Sequence, residues 1–178
     1  SGELKGYLDV RDGNDGLNGS NDFRGIPYYQ RKMNDFVRVF ARTFNEGIID
    51  TDGDGVLDKV NGHVDGYKLN SEAGDPASGI RFFTMFDEYG KPMSSETFAE
   101  AGGNDPSNLD YDAMYGQITA KNFSISKEIY ENPTNNISTM GAAGEVGNID
   151  VLKSIIGLRH NTYMFNEGSP EDYVKTII

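Results

Sequence analysis

The clearest periodicity in the chain begins at Ile26-Pro27, where apolar residues recur at Tyr29, Met33, Phe36, Val37, Phe40 and Phe44. Steps of three and four place these side chains on one face of a helix, with Arg31, Lys32, Asp35, Arg38 and Arg42 mostly on the other. Pro27 suits a first helical position, where its missing N–H would have no partner anyway, and Gly47 is a natural stop. The pattern predicts a helix over 27–47 whose stripe packs into the core of this domain or is shared with a neighbouring helix. Two more helices are expected near the other end. Asn148 is a good N-cap for a helix over 148–163 with Leu152, Ile155, Ile156 and Tyr163 on its apolar face. Ser169-Pro170-Glu171-Asp172 stacks a cap, a first-position proline and first-turn acids, and opens a helix over 169–178. That helix would end after two turns on an apolar face, too short to stand alone, so the expectation is a piece of a longer protein whose last helix continues.

Alternating patterns are weaker. Leu4 to Val10 fits a short strand or a helix tail equally, and 11–25 reads as a polar Gly/Asn/Asp loop. Ile80 to Phe86 is β-prone, and Ile118 to Ile125 resembles a half-buried strand with Ile118, Phe123 and Ile125 facing in. Ser126 to Asn132 reads as a short helix ended by Pro133. The expected fold is α+β: a long-helix layer of about three helices with a small, loop-rich, β-containing insertion. Residues 1–47 and 116–178 would form a rod-like helical domain, with 48–115 as the insertion.

Composition narrows the function classes. The 178 residues carry 28 acidic against 16 basic side chains, a formal charge of −12, which argues against wrapping nucleic acid or docking on anionic lipid. No apolar run approaches the ~20 residues that span a bilayer, and no signal-peptide pattern opens the chain. The absence of cysteine removes disulfides, thiolate metal sites and cysteine nucleophiles together. Only His63 and His160 are available for imidazole chemistry, one in a loop beside carboxylates and one near a helix end. The motifs of zinc proteases, α/β-hydrolases, P-loops and dinucleotide sites are all missing. The expectation is a protein that is not an enzyme. A carbohydrate-active enzyme would need two acids sharing a buried concavity.

One motif points to an ion. In Asp50-Thr-Asp52-Gly-Asp54-Gly55-Val56-Leu-Asp58, carboxylates stand at loop positions 1, 3, 5 and 9 and glycine at 6, with the Val56 carbonyl at 7. Ca²⁺ takes six to eight oxygens, and this spacing converges them as an EF-hand loop does. Position 12 departs, since Asn61 replaces the bidentate Glu, and no second helix is expected beyond it. One calcium ion on Asp50, Asp52, Asp54, Val56 and Asp58 stands beside the alternative of an Asx-rich turn without an ion. The oxygen-rich stretch Asp12 to Asp22 fits no ligand set.

Several stretches together resemble the flagellar hook-associated protein 1 family. They are Ser1-Gly-Glu-Leu-Lys-Gly-Tyr-Leu-Asp-Val-Arg-Asp12, the helix from Ile26 to Gly47, Gly79-Ile-Arg-Phe-Phe83, Ile118 to Ile125, Gly144-Glu-Val-Gly-Asn148 and Leu158-Arg-His-Asn161. The resemblance implies a structural component of the bacterial flagellum, at the junction between hook and filament, in a helical assembly. It also implies type III export without a cleaved signal and an extracellular location. The partners would be other copies of the chain and neighbouring hook and junction proteins, with no nucleic acid and no membrane insertion. The piece resembles the family's middle region without the terminal coiled-coil helices, and by itself is expected to be monomeric. The calcium loop is not part of the resemblance. It keeps an extracellular calcium-binding adhesion or stalk module open as the alternative.

Overall fold

The structure, a computed structural model, describes residues 2–13, 24–50, 58–103, 105–166 and 168–177, apart from the side chains of Ile49, Asp50 and Asp58. Its spine is the helix that the apolar stripe predicts. A first helix, α1 (Gly2–Asp12), precedes it, and α2 (Ile26–Glu46) runs for 21 residues with Pro27 in its first turn. The open choice at Leu4–Val10 is thereby resolved as helix. Gly13 and Gly25 bring the two helices together, because a Cβ on Gly25 would lie 2.6 Å from the Gly13 Cα. Gly47 ends α2 at φ 78°, a left-handed conformation natural to glycine, and its N–H closes onto the Thr43 carbonyl at 2.9 Å.

Beyond α2 the chain makes three short antiparallel pairs. β1 (Ile48–Asp50) pairs with β2 (Asp58–Val60), forming a hairpin directly at the end of α2. β3 (Tyr67–Lys68) pairs with β6 (Ser138–Met140), and β4 (Phe83–Met85) with β5 (Phe123–Ile125). Between and after them lie α3 (Ser95–Glu100), α4 (Tyr111–Gly116), α5 (Lys127–Glu131), α6 (Pro133–Asn136), α7 (Asp150–Gly157) and α8 (Pro170–Lys175). The fold is α+β. Two of the three pairs join a strand inside 48–115 to one outside it, so the expected division cuts across two sheets. Among the described residues no helix is long and apolar enough to cross a membrane.

Two cores flank the spine. On one side Ala41, Phe98, Met114, Tyr115 and Ile118 are buried, with Val37, Phe83 and Phe123 packed against them. Ala41 is completely buried, a small residue that lets neighbouring elements come close to the helix. On the other side Leu158, Met164, Phe165 and Tyr173 pack under Phe36, Val39 and Phe40. The Phe36 ring stacks on Phe165 at 5.4 Å, and the Tyr173 hydroxyl donates to the Lys32 carbonyl at 3.1 Å, tying α8 to α2.

Several expectations need correction. The helix layer is one long helix with short ones around it: the helix expected over 148–163 ends at Gly157, and a 3₁₀ turn, Leu158–His160, follows. Tyr163 therefore leaves the helical face and is exposed. Asn148 does not cap α7 from the N-cap position, which Ile149 occupies; its side chain accepts from the Asp150 N–H at 3.2 Å. Ser169 does cap α8, reciprocally with Asp172. The strand read over Ile118–Ile125 shrinks to three residues. Asn122 bonds back to the Thr119 N–H, turning the chain there, and Ile118 is buried beside α4 instead.

Candidate functional site

The residues assigned to one face of α2 divide into two sets. Phe36, Val37 and Phe40 pack against the cores, the Phe40 ring 5.4 Å from Phe83, and Phe44 packs on Phe82 and Phe83. Tyr29 and Met33, in the first half, are 43% and 54% exposed. The buried aromatic there is Tyr28, whose hydroxyl reaches the Thr176 carbonyl at 3.5 Å. Docking of α8 at this end selects Tyr28, one position off the stripe. Leu4, Tyr7, Leu8 and Val10 of α1 are exposed as well, and α1 buries no residue at all. Exposed apolar side chains thus stand on both α1 and the first half of α2.

The other end of α2 carries a buried polar network that pattern reading missed. The Asn45 amide donates to the Phe83 carbonyl at 2.7 Å and to the Tyr115 hydroxyl at 3.0 Å, and its oxygen accepts from the Phe83 N–H at 2.9 Å. Glu46 accepts from Arg81 Nε at 2.6 Å and from the Tyr115 hydroxyl at 2.7 Å. Burial, and then the Glu46 charge, hold the Tyr115 phenol well above its usual range, so it remains a donor. The signal was faint: an Asn-Glu pair at a helix end and an Arg inside a β-prone run.

This network forms one wall of a cleft of about 610 Å³ that also meets Glu96, Glu100 and Tyr111. Of its three carboxylates Glu46 is half-buried, and Arg81 and Tyr115 already occupy it; Glu96 and Glu100 lie exposed. The arrangement braces α2 against β4 and α4. It does not present two free buried acids. An apolar groove of about 430 Å³ lies between α2 and α7, lined by Phe36, Phe40, Phe44, Ile155, Ile156 and Met164.

Of the calcium residues, Asp52, Asp54 and Val56 lie outside the described residues, as do the side chains of Asp50 and Asp58. The backbone around them is informative. Asp50 pairs with Asp58 in the antiparallel β1–β2 pair, so the first and ninth positions of the motif stand opposite each other. Among the described residues no group of three His, Asp or Glu could hold a metal.

The histidines also divide. His160 is exposed at the end of its 3₁₀ turn, in line with a helix-end position. His63, read from sequence as a loop residue near the surface, is 1% exposed. Its ring packs against Phe44 and Phe82, at 6.4 and 5.4 Å between centroids, and both nitrogens contact backbone groups. The Asn-Gly-His-Val-Asp stretch looks like a surface loop because the groups that bury it come from α2, residues 80–82 and β6.

Compared with known protein families, with curated proteins and with solved structures, the chain matches none of them.

Proposed function

We propose that the chain is a structural, non-catalytic subunit of the bacterial flagellum at the junction between hook and filament, working outside the cell. The observation that supports this most is the exposure of Leu4, Tyr7, Leu8 and Val10 on α1 and Ile26, Tyr29 and Met33 on α2. Seven large apolar side chains on two adjoining helices suit a protein whose helices are completed by neighbouring subunits or hook and junction proteins. The resemblance in the same two helices supports the same reading. The test is to replace Leu8 and Met33 with Glu in the whole protein. The variant should melt as the parent does yet be absent from purified flagella, with swimming lost. Normal incorporation of the double variant would overturn the assembly role of this face.

A second reading, an extracellular calcium-binding adhesion or stalk module, is favoured by the pairing of Asp50 with Asp58, which brings the first and ninth positions of the DxDxDG motif opposite each other just after α2. One Ca²⁺ would relieve the repulsion of Asp50, Asp52, Asp54 and Asp58. Without a bidentate Glu the site should be weak, on the order of 10⁻⁴–10⁻³ M. Ten-millimolar calcium should then stabilise the chain by about 1–3 kcal/mol, and Asp52→Ala should abolish the gain. Identical melting in calcium and in chelator would leave the motif as an acidic turn. Either reading can fail without the other.

A further inference from the structure

His63 joins three segments that are distant in sequence. It opens a 3₁₀ turn, His63–Asp65, and its Nδ1 lies 2.7 Å from the Ile80 carbonyl, while its Nε2 lies 2.9 Å from the Ser138 N–H. A carbonyl only accepts and an amide N–H only donates, so the hydrogen must sit on Nδ1 and the lone pair on Nε2. The two contacts select one neutral tautomer. A proton added at Nε2 would face the Ser138 N–H donor-to-donor and bury a positive charge among phenyl rings.

No side-chain carboxylate is bonded to the ring to compensate that charge, since backbone groups take both nitrogens. The titratable and charged groups on the elements around it are already engaged. Asp65 on the same turn pairs with Lys59 of β2. At the C-terminal end of α2, Arg42 pairs with Asp112 and Glu46 with Arg81, which also represents the 80–82 segment. On α7, Asp150 and Lys153 pair with each other, and β6 carries no charged residue. Burial moves the His63 pKa downward, and the bond to Ile80 only partly opposes this.

We propose that His63 is an acid-sensitive latch, holding β6 on the body of the protein while its ring is neutral and releasing β6, with the α7 packed on it, when the ring is protonated. Besides this contact β6 is held by the burial of Ser138 and Met140 and by a short sheet pairing. Its pairing with β3 involves two residues a side and an irregular register, and Ser138 Oγ bonds only to the nearby Asn136 carbonyl at 3.2 Å. The release has a consequence for the surface, because Phe44 both packs on the His63 ring and lines the apolar groove between α2 and α7. Opening the latch therefore loosens one wall of that groove.

The pH window follows from the direction of the shift. An unfolded histidine titrates near 6.5 and the buried one lower, so the open form binds more protons. The closed form is fully favoured above about pH 6.5 and loses ground as pH falls from there toward the lower folded value. The chain has two histidines, so His160→Gln isolates the effect. Amide hydrogen exchange, corrected for its intrinsic rate, should be followed between pH 7.5 and 5 in the parent and in His160→Gln. In both, protection of the Ser138 N–H and of α7 should fall by up to about tenfold per pH unit below ~6.5. Amides of α2 and of the β4–β5 pair should keep theirs, and ring ¹⁵N shifts at pH 7.5 should place the proton on Nδ1. Protection that is flat with pH, that falls equally everywhere, or that becomes pH-independent in His160→Gln would overturn the latch. So would a proton found on Nε2.

Discussion

The two halves of α2 share one helical period and meet different fates. In the second half, Ala41 is fully buried in one of the two cores, and Asn45 and Glu46 close a polar network with Phe83, Arg81 and Tyr115. In the first half, Tyr29 and Met33 continue the same stripe into solvent beside an α1 that buries nothing. An amphipathic pattern states that a face will be covered; it does not state by what. The second half is covered by this chain's own α4, β4, β5 and the segment around Leu158–Phe165. Among the described residues the first half meets α1, the segment at Ala120 and the end of α8, and these leave Tyr29 and Met33 exposed.

The comparison can be broken most directly at its rigid end. Phe98 is fully buried on the α3 side of the core, and its ring lies 5.3 Å from Tyr115. Phe98→Ala should cost about 3–5 kcal/mol in denaturant unfolding, through lost burial and the cavity left behind. A cost under about 1 kcal/mol would mean that this side is not a packed core. Asn45→Ala should come next, at roughly 2–4 kcal/mol, because it leaves the Phe83 N–H and carbonyl without the partners that Asn45 provides. Chemical unfolding that is unchanged in Asn45→Ala would show water replacing the amide easily, and the end of α2 would not be a rigid joint. The smallest effect belongs to the exposed half. Leu8→Glu with Met33→Glu should stay within about 0.5 kcal/mol of the parent, the usual range for exposed positions. A large loss would show that these side chains already have a partner inside the chain, and the contrast between the halves would disappear.

Where local chemistry dominates, reading the residues worked well. Pro27 and Gly47 mark the ends of α2 to within a residue, and the Ser169–Asp172 capping box starts α8 as expected. These signals act over three or four residues, so nothing distant overrides them. The strands were far less legible. Each is two or three residues long, too short for an alternation to register, and in two of the three pairs the partners lie tens of residues away. Ile118 shows the failure plainly. It is buried, as expected, but as a core residue beside α4 and not as a strand residue, because Asn122 bends the chain before β5 begins.

The sequence by itself determined the α+β class, the long apolar helix with its ends and the capped last helix. All of these depend on propensity, capping and period, which are properties of neighbouring residues. Only the tertiary structure decided that Tyr28 and not Tyr29 turns inward, that Asn45 meets β4 while Glu46 meets Arg81, and that Asp50 pairs with Asp58. Only it decided, too, that His63 is enclosed by Phe44, Phe82, Ile80 and Ser138. The physical reason is the same in each case. Burial and hydrogen-bond partnership at those positions are supplied by segments far along the chain, and a residue's own neighbours carry no record of which segment will arrive.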